Sequence, residues 1–281
     1  MTGAVVTQFA AARDEVQPHL VFRGVSKTFP DGTEALQNVS FDVPRRQFCV
    51  VLGPSGSGKS TLLRCVNGLT SISGGEIAVG GEALDRRSKG RIRRKVAMVH
   101  QLFNLVERAS VAENTLQGAV AQLPAWRVAL GWYPPHLRDR ACEVLDGVGL
   151  EPQHLTRRVR ELSGGQQQRV GIARALLLSP EVVLADEPVA SLDPSISRDV
   201  LELLRKGADA QGATVMCSLH QPDLAREFGD RIVGMRAGKV VFDGPPETFD
   251  ADAEALIYDG TVTPRPAAQS AGSARELEAV Q

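Results

Sequence analysis

The chain has 281 residues, is 43% hydrophobic and 23% charged, and carries a formal net charge of −1 at pH 7. That balance supplies a sizeable core for one large domain or two small ones, and it excludes a global field suited to nucleic acid or anionic lipid. No stretch approaches the roughly 18 consecutive apolar residues of a membrane-spanning helix, and Cys49, Cys65, Cys142 and Cys217 are scattered with no C-x-x-C pair, which speaks against a disulfide framework or a zinc site. The N-terminus lacks the basic-then-apolar order of a signal peptide, so a reducing cytosolic setting is expected.

Residues 1–18 show no sustained period and read as a loose tail. From His19 the pattern becomes strand-like: Leu20-Val21-Phe22 and Val39-Ser40-Phe41-Asp42-Val43 flank the turn signal Pro30-Asp31-Gly32-Thr33. Phe29, just before that turn, reads by itself as a core aromatic. The apolar run Phe48-Cys49-Val50-Val51-Leu52 then leads into Gly53-Pro54-Ser55-Gly56-Ser57-Gly58-Lys59-Ser60-Thr61, which fits G-x-x-x-x-G-K-[ST]. Leu62, Leu63, Val66 and Leu69 follow at helical spacing, so the motif lies between a strand and a helix, as a phosphate-binding loop requires. Small residues let consecutive backbone N–H groups close around phosphate oxygens, and the helix N-terminus adds its positive dipole end. Lys59 can reach the β- and γ-phosphates and the Ser60 hydroxyl can ligate Mg²⁺. The chain is expected to bind a nucleotide.

Ser73-Gly74-Gly75-Glu76 and Val79-Gly80-Gly81-Glu82 predict a small turn-rich β segment. The basic run Arg86 to Lys95 reads as a solvated helical face ahead of a buried strand, since no aromatics interleave as they would in a nucleic-acid patch. Val96-Ala97-Met98-Val99 ends at His100-Gln101, and residues 102–162 are expected to be largely helical. Within them Leu137, Ala141, Val144, Leu145 and Val148 form one apolar face with Gly149 as C-terminal cap, and Trp126 and Trp132, taken by themselves, read as residues that fill the helical core.

Leu162-Ser163-Gly164-Gly165-Gln166 opens a helix running from Gln167 to Leu178, a second anion-binding device of the helix N-terminal kind. One nucleotide needs one such loop. Two in one chain make sense if the second loop of one copy binds the nucleotide held by another. Val182-Val183-Leu184-Ala185 and Thr214-Val215-Met216-Cys217-Ser218-Leu219 are apolar without alternation, which suits a parallel sheet covered on both faces. The first closes on Ala185-Asp186-Glu187-Pro188, a strand-end carboxylate pair able to hold Mg²⁺ and to polarise water. Asp193 is a natural N-cap, with Pro194 at the first helical position and Ile196, Val200, Leu203 and Leu204 marking the helix. Arg231 to Gly244 reads as a hairpin turning at Ala237-Gly238, and the segment beyond Pro264 is expected to be disordered. Strand and helix alternate, so the fold class is α/β.

The LSGGQ string, with the phosphate loop and the Asp-Glu strand end in the same order and spacing, resembles the ATPase subunits of ATP-binding cassette (ABC) transporters over His19 to Phe249. The resemblance implies a P-loop NTPase with a RecA-like core, an antiparallel β subdomain and a helical signature subdomain. It places the cassette at residues 19–250, with the helical subdomain at about 102–162 and a largely disordered tail at 251–281. By likeness, Phe29 stacks on adenine where Tyr is more usual; Gln101 senses Mg²⁺ and the attacking water and links to the membrane subunit; Asp186 is the Mg²⁺-associated aspartate, Glu187 the general base and His220 the γ-phosphate contact. Ser163, Gly165 and Gln166 would reach the γ-phosphate held by a partner copy, and Ser191-Leu192-Asp193 would touch the opposite subunit. ATP and Mg²⁺ are implied, as are a second copy in an ATP-sandwich dimer, integral-membrane permease subunits and, indirectly, a solute-binding protein. The implied place is the cytoplasmic face of the inner membrane, with no nucleic-acid partner.

One cassette with no membrane span resembles bacterial importer subunits. His100-Gln101 with Phe103-Asn104-Leu105-Val106, the Trp126-Arg127 pair with Gly131-Trp132, and Leu219-His220-Gln221 are similar to the phosphonate importer ATPases. Leu102 and Pro222 depart from that pattern. Phosphite or polar amino-acid import stays open, as does a soluble cassette ATPase attached to no transporter.

Overall fold

The computed structural model describes residues 18–100, 104–190 and 192–259. Strand β1 (Pro18–Thr28) pairs antiparallel with β2 (Glu34–Pro44), and β3 (Phe48–Leu52) leads to α1 (Lys59–Val66). Next come β4 (Gly74–Val79), β5 (Glu82–Ala83), α2 (Lys89–Lys95) and β6 (Val96–Val99). Helices α3 (Val111–Leu116), α4 (Ala125–Ala129), α5 (Pro135–Gly147) and α6 (Gly164–Leu176) precede β7 (Val182–Asp186). The chain continues through α7 (Pro194–Gln211), β8 (Thr214–Leu219), α8 (Pro222–Phe228), the hairpin β9 (Arg231–Arg236) and β10 (Lys239–Gly244), and α9 (Ala251–Tyr258).

Two sheets result. The smaller has the order β2-β1-β4-β5, with antiparallel pairing throughout. The larger has the order β10-β9-β3-β8-β7-β6 and is parallel from β9 to β6, with β10 an antiparallel edge. The unalternating apolar runs are explained by what lies on each face of this sheet. Phe48, Val50, Leu52, Val183, Ala185, Val215, Cys217 and Leu219 enter a core shared with α5, α6 and α7. Cys49, Val51, Val182, Leu184 and Met216 enter a second core shared with α1 and the small sheet. Side chains alternate between faces along a strand, so a strand buried on both faces must be apolar at every position. Each such Val or Leu contributes about 1.5–3 kcal/mol. Cys49 and Cys217 are buried within this sheet, and desolvation pushes the Cys49 thiol up to about 12, consistent with small core residues.

The basic run takes the solvated role expected of it. Lys89, Arg91, Arg93 and Arg94 are exposed on α2, and Ile92 alone on that helix turns into the core. The two tryptophans do not fill the core. Trp126 and Trp132 are 52% and 55% exposed. Their rings meet at 5.6 Å, with the Arg127 guanidinium carbon 5.3 and 5.2 Å from the two ring centres. Helix α4 is a single short turn with no buried face, so both indoles pack on a cation at the surface instead.

The tail reading from residue 251 also needs correction. Helix α9 starts there, capped by Asp250 Oδ1 accepting from the Ala253 N–H, and Ala253 and Ile257 are buried. Ile257 fits the gap left by Gly234 on β9, where an added Cβ would lie 2.3 Å from its Cδ1. Tyr258 donates its hydroxyl hydrogen to the His220 carbonyl at 2.9 Å. The folded body therefore runs to Asp259 among the described residues, and the segment beyond Pro264 lies outside them.

A buried histidine ties the two sheets together. His19 Nδ1 lies 2.7 Å from Thr214 Oγ1 and its Nε2 lies 3.5 Å from Glu181, which also pairs with Lys95 at 3.1 Å. Burial, reinforced by Arg45, holds the His19 pKa below its ordinary 6.5, against the opposing Glu181 carboxylate. The unfolded chain therefore binds this proton more readily, and the stability contributed by neutral His19 is present above pH 6.5 and lost as pH falls below it. Urea titrations should show a midpoint that drops between pH 7.5 and 5.5, with a shallower drop in His19→Gln. An unchanged slope in that variant would assign the acid sensitivity elsewhere.

Candidate active site

The site forms at the carboxyl ends of three adjacent parallel strands, β3, β8 and β7. Loops leaving that end of an open α/β sheet can converge on one ligand. Gly53 to Gly58 leave β3 and enter α1 at Lys59. Two glycines are required by close approach. A Cβ on Gly53 would lie 2.3 Å from the Met235 carbonyl oxygen, and one on Gly58, whose φ is +105°, would lie 2.5 Å from the Ala35 carbonyl oxygen. The loop is thus wedged between β9 and the start of β2.

Lys59 is buried and its Nζ donates to the carbonyls of Gly53 at 2.7 Å and Pro54 at 3.1 Å. Burial lowers its pKa, while the Glu187 and Asp186 carboxylates pull it back up. The buried Ser57 Oγ has no hydrogen-bond partner among the described residues. An orphaned hydroxyl in the same loop motif as a buried ammonium is a donor set that a phosphate oxygen would satisfy.

Across the sheet, Ser60 Oγ donates to Asp186 Oδ1 at 2.7 Å, and Arg64 lies 4.0 Å from the other oxygen. Glu187 follows immediately with φ +49°, a sparsely populated backbone conformation for a non-glycine residue. Its Oε1 lies 2.5 Å from His220 Nε2 and 3.7 Å from Lys59 Nζ. Five of the residues singled out from the sequence, Lys59, Ser60, Asp186, Glu187 and His220, therefore converge. For Mg²⁺ the hard oxygens of Ser60 and Asp186 fit: this ion is held by one or two carboxylates plus substrate phosphates rather than by a protein cage. No group of three or more His, Cys, Asp or Glu side chains could hold a metal among the described residues.

Other expected residues stand apart. Phe29 lies on the β1–β2 hairpin with Lys27 Nζ 5.0 Å above its ring. Ser163 caps α6: its Oγ accepts from the Gln166 N–H at 3.3 Å, and Gln166 Oε1 accepts from the Ser163 N–H at 3.0 Å. Gly165 is pressed against Ile196, where a Cβ would come within 2.8 Å of Cγ2. Among the described residues, no hydrogen bond or ion pair joins this turn to residues 53–61. Asp193 takes the N-cap position of α7 with Pro194 after it, but its exposed carboxylate makes no capping bond. Gln101 and Ser191 lie outside the described residues. Sequence reasoning missed Arg64 and Ser218. The only signal for the latter was a polar residue inside an apolar run.

Residues 36–190 match the family model described as ABC transporter. This chain belongs to the ABC transporter ATPase family. Among curated relatives of this cassette, the "Phosphonates import ATP-binding protein PhnC" of Hydrogenovibrio crunogenus is 50% identical over 85% of this chain and 88% of its own length. The protein of the same description from Hyphomonas neptunium is 48% identical over 86% of this chain and 92% of its own. Among solved structures, the dimeric post-hydrolysis state of the ATP-binding cassette MJ0796 bound to ADP and Pi aligns with a TM-score of 0.70 at 33% identity, covering 81% of this cassette and 98% of that chain. The cbiO1 protein of Clostridium perfringens, described as part of the transporter complex cbiONQ, aligns with a TM-score of 0.72 at 28% identity, over 85% and 95% of the two chains. The cassette is an ABC-type ATPase by family, and among its described residues no helix is long and apolar enough to cross a membrane.

Proposed function

We propose that this chain hydrolyses ATP for a phosphonate import complex, as a pair of copies that sandwich two ATP molecules at the cytoplasmic face of the cell membrane. The observation that carries the ATPase reading is the convergence of Lys59, Ser60, Asp186, Glu187 and His220 at one sheet end. Mg²⁺, when bound through Ser60 and Asp186, neutralises charge on the β- and γ-phosphates. The loop amides and Lys59 cradle those phosphates, with Lys59 swinging from the Gly53 and Pro54 carbonyls onto them. Glu187 accepts the proton of the attacking water, and His220 holds the Glu187 carboxylate in place and contacts the γ-phosphate. Phe29 supplies a ring face for the base, and Gln101 a link between the site and the membrane subunit.

The separation of the Ser163–Gln166 turn from the phosphate loop within one chain supports the paired arrangement, in which Ser163, Gly165, Gln166 and Asp193 serve the nucleotide of the second copy. Two bound ATP molecules close the pair and hydrolysis lets it open, which is the mechanical output passed to permease subunits. A solute-binding protein delivers the cargo to that permease. The phosphonate cargo rests on likeness to relatives of that description.

Uptake of a labelled alkylphosphonate tests this in cells with the gene deleted, then restored as wild type or as Glu187→Gln. Uptake that disappears and returns only with wild type supports the reading. Uptake that is unaffected by deletion would remove the phosphonate assignment and favour phosphite or a polar amino acid.

A further inference from the structure

One fully buried hydroxyl touches both carboxylate residues of the site. Ser218 lies in β8 with Val215, Met216, Cys217 and Leu219 buried around it. A hydroxyl in such surroundings is costly unless it is hydrogen-bonded. It stands in register with Asp186 on one side and with Val51, just before the phosphate loop, on the other. Its Oγ donates to Asp186 Oδ1 at 3.1 Å and accepts the Glu187 backbone N–H at 2.9 Å. With one hydrogen to give, the hydroxyl is committed: the proton points at the carboxylate and a lone pair at the amide.

Glu187 needs such a partner. Strand β7 ends at Asp186, and the left-handed turn at Glu187 takes its backbone out of the ladder. A sparsely populated backbone conformation persists only where its surroundings over-determine it. The Ser218 hydroxyl supplies the anchor for the Glu187 N–H and, through the same atom, fixes the carboxylate oxygen that receives Ser60.

We propose that Ser218 is a positioning residue of the ATPase site. It locks the Asp186–Glu187 pair so that the Glu187 carboxylate faces His220 and Asp186 Oδ1 faces Ser60. This rests on the ATPase reading above. It differs from a packing role because the hydroxyl acts on orientation at the reacting end of the strand rather than on core volume.

The test uses the full chain and compares wild type with Ser218→Ala, Ser218→Thr, Glu187→Gln and the Ser218→Ala/Glu187→Gln double variant. Misplacing a reacting group by about 1 Å costs up to roughly a hundredfold. Ser218→Ala should therefore lose about 10- to 100-fold in kcat, with KM for ATP within about threefold. Its melting temperature and its affinity for a fluorescent ATP analogue in EDTA should stay close to wild type. Ser218→Thr, which keeps the hydroxyl, should recover most of the rate. The double variant should lose less relative to Glu187→Gln than Ser218→Ala loses relative to wild type, because part of the Ser218 effect runs through Glu187 and only the part through Asp186 remains. Should Ser218→Ala not fold, Ser218→Cys keeps the volume, weakens both bonds and carries the same expectation. A kcat within twofold of wild type overturns the proposal. So does a loss that Ser218→Thr fails to restore at unchanged melting temperature, or a loss on top of Glu187→Gln as large as that of Ser218→Ala in the wild-type chain. A wild-type chain without ATPase activity would instead remove the ATPase reading itself.

Discussion

Replacing Glu187 with glutamine is expected to lower ATP turnover by about a thousandfold, within the roughly 10²–10⁴ range of a general base, while leaving ATP binding intact. Glutamine keeps the size of the side chain and its contact with His220 Nε2, which stands 2.5 Å from Oε1 in the native chain. The Ser218 bond to residue 187 runs through the backbone N–H and survives the change. What is lost is the capacity to take a proton from water. With hydrolysis blocked, two copies closed over ATP have no route to open, so the variant should elute from gel filtration at twice the monomer mass in ATP and Mg²⁺. A profile that stays monomeric would count against the ATP sandwich; turnover within tenfold of wild type would count against Glu187 as the base.

Lys59→Ala should reduce kcat/KM for ATP by roughly two to three orders of magnitude, the scale of losing one preorganised donor at developing charge. The ammonium donates to the Gly53 and Pro54 carbonyls and lies 3.7 Å from Glu187. It is the one lysine within the phosphate loop motif. Alanine removes both the charge and the tether on the loop, so fluorescent-nucleotide binding should weaken together with turnover. Lys59→Arg, which keeps the charge but not the compact head, should recover binding better than turnover. Lys59→Ala with kcat/KM within tenfold of wild type would show that the loop amides and helix N-terminus suffice.

Several features of the site were legible because they are local. The phosphate loop is one run of nine residues whose chemistry depends on small side chains and one lysine in sequence. The Ser163-Gly164-Gly165-Gln166 turn was legible as a helix entry because its residues are contiguous, although the helix begins at Gly164 and not at Gln167, and Pro194 holds the first helical position expected of it. The hairpin at Ala237-Gly238 and the turn before Gly149 likewise depend on neighbours. The apolar strands were legible because a strand covered on both faces has no polar position to spare.

Other features depend on distant parts of the chain. Trp126 and Trp132 look like core residues by type, but a single turn of helix offers no face to bury, and they pack on Arg127 at the surface. The family resemblance ends at Phe249 and so assigns residues 251–258 to the tail, yet Gly234, some twenty residues earlier, leaves the gap that Ile257 fills. Gly53 and Gly58 were readable as flexible loop glycines, whereas the strict demand at each comes from carbonyls of Met235 and Ala35 on other strands.

By itself the sequence determined the nucleotide chemistry and the α/β class, since both reside in short contiguous patterns whose physics needs no distant neighbour. Only the tertiary structure decided how Ser60, Asp186, Glu187, Ser218 and His220 meet. They come from three strand ends that are adjacent in space because β8 inserts between β3 and β7. Along the chain β8 follows β7, so sequence order alone does not place it beside β3.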